Sequence, residues 1–87
     1  MGRATQIETR LRERLTPTHL TVTDESAQHA GHAGARGGGH FAVTIVSKRF
    51  QGLGPIQRHR LVYAALGELM QTDIHALRID ARTPEEN

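Results

Sequence analysis

The 87 residues contain no cysteine and no tryptophan, and only three aromatic rings, Phe41, Phe50 and Tyr63. Without cysteine the chain forms no disulfide, offers no thiolate nucleophile and cannot hold an iron–sulfur centre by itself. Any soft-metal chemistry has to borrow thiolates from a partner. No apolar run approaches the roughly 20 residues that cross a bilayer. None opens the chain either, so no secretory leader is expected, a cytoplasmic location is, and no membrane partner is implied. Gln6 stands where a myristoylation signal has Ser or Thr. Blocks of basic residues are also missing. Eleven Lys and Arg against nine Asp and Glu leave a net charge of +2, and the pI near 9.9 reflects arginine chemistry, since lysine occurs only at Lys48. This balance argues against a dedicated nucleic-acid binder.

What remains is 37% hydrophobic and 23% charged, a soluble globular profile. A chain this short allows one domain over 1–87 and one modest core, burying roughly two thirds of its unfolded surface. The surplus lies in nine glycines and six histidines. His29, His32 and His40 fall close together, within or beside a stretch from 26 to 39 made of small residues.

Thr5-Gln6-Ile7-Glu8 has capping-box spacing and predicts the start of a helix. Ile7, Leu11 and Leu15 then recur every four residues among charged ones, a narrow apolar stripe that Pro17 should end. Leu20 to Asp24 alternates at period two, reading as a strand with one buried face. The 26–39 stretch predicts a flexible Gly/His loop. Phe41, Val43 and Ile45 alternate with Ala42, Thr44 and Val46, apolar on both faces in part, which suggests a central strand. Gly52, Gly54 and Pro55 predict a turn and a helix start. From there Ile56, His59, Val62, Tyr63, Leu66, Leu69 and Met70 predict one helix of about four turns ending at Thr72-Asp73. A third strand follows, with His75, Leu77, Ile79 and Ala81 on one side, and 83–87 reads as a frayed acidic tail.

The order is α-β-β-α-β, with an extra helical turn expected near 50–54. Strands one and two should pair antiparallel. The connection from strand two through a helix to strand three is a crossover, so those two should pair parallel. In a parallel pair the N-terminal ends lie together. His75 is therefore expected beside His40 and beneath the 26–39 loop, although 35 positions separate the two in sequence. Imidazole is a common metal ligand, and two from a strand end and a loop make an incomplete site. The competing reading is that the loop histidines are solvated and His40 simply packs.

Other motifs are weaker. His59, on the apolar stripe, reads as a buried neutral histidine with one hydrogen-bond partner. Arg58 and Arg60 read either as solvated helix charges or as contacts for phosphate or an acidic partner. Gly52-Leu53-Gly54-Pro55 lacks the lysine of a P-loop and the spacing of a dinucleotide fingerprint. Asp24-Glu25-Ser26 has no nucleophile elbow around it. No enzyme is expected.

Taken in order, Asp24-Glu25-Ser26-Ala27-Gln28-His29, His40-Phe41, Val46-Ser47-Lys48-Arg49-Phe50-Gln51-Gly52, Arg58-His59-Arg60-Leu61-Val62-Tyr63, Ile74-His75-Ala76-Leu77 and Thr83-Pro84-Glu85 resemble the BolA family over nearly the whole chain. The resemblance implies a class II KH-like α-β-β-α-α-β domain, with a three-stranded mixed sheet and helices packed on one face. It also implies a non-enzymatic adaptor, a monomer or weak homodimer alone, that forms a heterodimer with a monothiol, CGFS-type glutaredoxin. The two proteins would share a bridging [2Fe–2S] cluster with glutathione, in iron–sulfur trafficking or iron homeostasis. The family's C-terminal ligand falls on His75 and its loop ligand on His29, with His32 repeating the same His-Ala-Gly unit as a rival. The alternative is a KH-like DNA-binding transcriptional regulator, contacting DNA through Arg49, Arg58 and Arg60. The small net charge and the absence of a Gly-x-x-Gly clamp count against it.

Overall fold

The computed structural model describes residues 2–26 and 39–86. Helix α1 spans Arg3–Leu15, followed by strands β1 (His19–Asp24) and β2 (Gly39–Val46). Helices α2 (Pro55–Leu66) and α3 (Leu69–Thr72) lead to strand β3 (Ile74–Arg82). The sheet order is β1-β2-β3, with β1 antiparallel and β3 parallel to the central β2, as the crossover argument requires. The described residues thus form an α+β domain of three helices and a three-stranded mixed sheet.

The apolar stripe of α1 is buried at Ile7, Leu11 and Leu15. It packs with Phe41, Val43 and Ile45 of β2, and with Val62, Ala65, Leu66 and Leu69 from the other two helices. Leu20, Val22, Leu77, Ile79 and Ala81 complete the helix-covered face of the sheet. On the opposite face Ala42 and Thr44 are half-buried, whereas Thr21, Thr23, Arg78 and Asp80 are exposed. Among the described residues, this face is the open one.

Four local features differ from the sequence reading. First, α1 starts two residues before Thr5, with extended Gly2 as its N-cap and no side-chain cap. The Gln6 amide donates to the Gly2 carbonyl at 3.1 Å. Glu8, freed from a capping box, pairs instead with Arg12 one turn on. The helix does end before Pro17: Thr16 adopts φ 42°, and the buried Ser47 hydroxyl donates to the Leu15 carbonyl at 2.7 Å.

Second, the long helix is broken at Gly67, whose φ of 55° favours glycine. The Gly67 amide donates to the Tyr63 carbonyl, and Arg10 donates to the Leu66 carbonyl. The buried stripe of α2 is Val62, Ala65 and Leu66. Ile56 and Tyr63 sit a helical step away from it and are 69% and 41% exposed. The extra turn lies at Lys48–Phe50 rather than 50–54, and it drives Phe50 into the core.

Third, β3 does not alternate from its first residue. Its register with β2 shifts between Gly39 and His40, pairing Gly39 with Ile74 but His40 with Ala76. His75 is the extra residue of this bulge, exposed and outside the stripe of Leu77, Ile79 and Ala81.

Fourth, the tail is held. Thr83 is buried, and Pro84–Glu86 form a 3-10 turn; residue 87 lies outside the described residues. The Glu86 carboxylate accepts from both Arg58 Nη atoms, at 2.6 and 3.1 Å, and from the Thr83 amide at 2.8 Å. The Arg58 guanidinium, followed by the Thr83 amide, holds the Glu86 carboxyl down at about 2. A depressed carboxylate stabilises the fold fully above its unfolded value of about 4.5, and that contribution is lost as pH falls toward 2. Thermal unfolding followed by circular dichroism should therefore show Tm falling through this window. The fall should be smaller for Glu86→Gln; equal slopes for the two chains would contradict the clamp.

Candidate functional site: a histidine pair at the end of the central strand

The parallel pairing brings the starts of β2 and β3 side by side, and with them His40 and His75. Their ring centroids are 5.1 Å apart, with the planes tilted by 52°. Alternation places His40 opposite the buried Phe41, on the open face of the sheet. The bulge turns the exposed His75 out beside it. A regular strand would have sent residue 75 toward the helices with Leu77. The register shift is thus what makes the imidazole accessible.

The stems of the 27–38 segment meet at the same place. The Glu25 amide donates to the His40 carbonyl at 2.7 Å, and the His40 amide donates to the Ser26 hydroxyl oxygen at 3.0 Å. Asp24 accepts from the Ser26 amide at 2.8 Å, an Asx turn that holds its carboxyl below the usual range, with hydrogen bonds from Ser26 as the main cause. On the other stem, the Gly39 amide donates to the Asp73 carbonyl at 3.0 Å, just before His75. Gly39 has to be glycine: a Cβ there would lie 2.5 Å from Ser26 Oγ and 2.9 Å from the Phe41 ring. Glu25 and Arg78 form a bidentate ion pair that closes the open-face side of this end.

His29 and His32 lie outside the described residues. Among the described residues, no cluster of three or more His, Cys, Asp or Glu is arranged to hold a metal ion. His40 and His75 bring two imidazole rings together beside the stems of the 27–38 segment. This donor set suits one iron of a [2Fe–2S] cluster whose remaining ligands come from elsewhere, because two imidazoles can replace two thiolates on a single iron.

The other sequence candidates lie away from this rim. Arg58 is spent inside the fold: its Nε donates to the Leu53 carbonyl at 2.8 Å and its Nη1 to the Ala81 carbonyl at 3.0 Å, in addition to Glu86. It is neither a solvated charge nor a free contact for phosphate. Arg49 and Arg60 are exposed. His59 is half-buried rather than in the core, lining a recess of about 230 Å³ with Pro55, Arg58 and Asp80. The parallel-pairing argument puts His75 beside His40, and the structure agrees, with the two rings 5.1 Å apart.

Residues 11–86 match the BolA-like protein family. BOLA1, a chloroplastic protein of Arabidopsis thaliana, is 46% identical over 90 residues, covering 99% of this chain and 56% of that protein. The DNA-binding transcriptional regulator BolA of Escherichia coli is 41% identical over 81 residues, covering 93% of this chain and 75% of that one. The solved BolA domain of SufE1 from Arabidopsis thaliana superposes with a TM-score of 0.87 at 43% identity, covering 100% of this chain and 99% of that one. The chain spans a little over half the length of the first curated relatives it matches, between 56% and 58%. With the fold, the motif order and these likenesses in agreement, the chain belongs to the BolA-like family.

Proposed function

We propose that this chain is a non-enzymatic adaptor that pairs with a monothiol, CGFS-type glutaredoxin and co-ligates a [2Fe–2S] cluster between them. The observation that carries the reading is the His40–His75 juxtaposition at an exposed rim in a chain without cysteine. His75 is the first ligand. The second imidazole comes from His29, with His32 as its rival, or from His40 already in place beside His75. The glutaredoxin cysteine and the thiolate of glutathione complete the set. When bound, the cluster supplies a one-electron redox centre and transferable iron and sulfide. This chain's part is to supply two imidazole nitrogens, one of them from His75, and to leave the opposite side open for the partner.

The test is reconstitution. Mixing the chain with cluster-loaded glutaredoxin and glutathione should give a 1:1 heterodimer by mass. Its visible circular dichroism should differ from that of the glutaredoxin homodimer. A spectrum equal to the sum of the two components would contradict the proposal.

A second reading follows from the name of the Escherichia coli relative, a DNA-binding transcriptional regulator. In this chain the exposed arginines near the Gly52–Pro55 turn are Arg49 and Arg60, because Arg58 is committed to Glu86. If DNA binding occurs here, Arg49→Gln and Arg60→Gln should each lower the salt slope of a gel shift by about one and weaken binding, while His75→Ala leaves it unchanged. Retention of full DNA affinity by the Arg49→Gln/Arg60→Gln chain would remove that face as the interface.

A further inference from the structure

The ion pair between Glu25 and Arg78 is not used by the ligand set above. Its placement is unusual for a surface pair. Arg78 lies on β3, in register with Ala42 of the central strand, which is in turn in register with Thr23 of β1. To reach Glu25, which is hydrogen-bonded through its backbone to His40 at the start of the central strand, the Arg78 guanidinium spans the neighbouring strand position, where Ala42 is its register partner. The Glu25 side chain is only 16% exposed, whereas that of Arg78 is 74% exposed, so the arginine comes to the carboxylate.

This bridge ends at the histidine rim. The amide of Glu25 donates to the carbonyl of His40, whose ring is 5.1 Å from that of His75. Along the strand, Arg78 is three residues beyond His75, roughly 10 Å at the usual rise. A full positive and a full negative charge therefore sit together within Coulombic reach of a cluster at His75, and they cancel there.

We infer that the Glu25–Arg78 pair is a charge-balancing device that sets the reduction potential of the cluster held at the histidine rim. This rests on the ligand reading proposed above. The reasoning is electrostatic. A one-electron reduction adds one negative charge to the cluster, the electron coming from an external donor or electrode. A lone cation nearby favours the reduced form and a lone carboxylate disfavours it. At about 10 Å and an effective dielectric between surface and bulk values, either changes the ratio of reduced to oxidised cluster by roughly two- to tenfold. For a one-electron couple that is about 20 to 60 mV. The intact pair contributes little net field, because its two charges lie in direct contact.

The experiment uses the [2Fe–2S]-loaded complex with a CGFS glutaredoxin and glutathione, poised with mediators and read by electron paramagnetic resonance of the reduced fraction. Glu25→Gln leaves Arg78 unbalanced and should raise the midpoint potential. Arg78→Gln leaves Glu25 unbalanced and should lower it. Glu25→Gln/Arg78→Gln should return close to the wild-type value, and Arg78→Lys should keep it. Opposite signs separate charge balancing from a structural role, since loss of a purely structural strap would move both single variants the same way. Equal or same-signed shifts in a complex that still forms would overturn the inference while leaving the ligand reading standing. Failure of the wild-type chain to form any cluster complex would overturn the ligand reading and this inference with it. Thermal melts of the isolated chains show whether each variant is folded before it is poised.

Discussion

Replacing His75 by alanine should abolish the heterodimer's visible spectrum while leaving the fold intact. His75 is exposed on a bulge and outside the core, so its removal should cost less than about 0.5 kcal/mol of stability. Its loss removes a direct ligand. Substituting even an outer-shell partner costs 10–100-fold in metal affinity, so loss of a ligand should weaken cluster retention by at least about 100-fold. The mixture should then show the spectrum of the glutaredoxin homodimer alone. His40→Ala, His29→Ala and His32→Ala, measured beside it, identify the second nitrogen: the variant that behaves like His75→Ala carries it. A His75→Ala complex with an unchanged spectrum would remove the leading ligand.

Gly39→Ala should destabilise the chain far more than an ordinary strand substitution. The new methyl would meet the Ser26 hydroxyl at 2.5 Å and the Phe41 ring at 2.9 Å. Neither neighbour yields easily. Phe41 is 1% exposed and packed on all sides, and the Ser26 oxygen accepts the His40 amide. Overpacking of this kind costs roughly 1–3 kcal/mol. In a domain of this size each kcal/mol lowers Tm by roughly 4–8 °C, so a drop of about 4–24 °C is expected by calorimetry. Adding Ser26→Ala to Gly39→Ala should recover part of the loss by removing the nearer clash. A Gly39→Ala chain that melts with the wild type would show that the stems of the 27–38 segment are not seated as described. Because the clash lies beside His40, the variant should also impair cluster retention, unlike core substitutions of equal cost.

How much of this was legible in the residues depends on which force decides each feature. The α1 stripe of Ile7, Leu11 and Leu15 and the central position of β2 follow from hydrophobic periodicity, which local sequence carries directly. The approach of His75 to His40 followed from topology alone, because a parallel pair must bring its strand starts together. The bulge did not. Nothing in Ile74-His75-Ala76 marks a register shift, which is settled by the meeting of Gly39, Ile74 and Asp73 across two strands. Likewise the long helix reads as continuous through Gly67, and the break shows only in the φ of 55° there and in the hydrogen bond from Arg10 to the Leu66 carbonyl. Ile56 and Tyr63 have apolar identities but fall off the buried stripe once Val62, Ala65 and Leu66 fix the rotation of α2. The role of Arg58 depends on Glu86, 28 residues away, and no local pattern announces such a pair. Neither does any local pattern link Glu25 to Arg78, 53 residues apart.

The most direct measurement of the central claim labels the histidines of this chain, and not those of the glutaredoxin, with nitrogen-15. Pulsed electron paramagnetic resonance of the reduced heterodimer then reads the nuclei bound to iron. Two imidazole couplings that change from nitrogen-14 to nitrogen-15 on labelling, with one lost in His75→Ala, are the expected result. Couplings that are absent, or that ignore the label, would show that this chain contributes no nitrogen to the cluster.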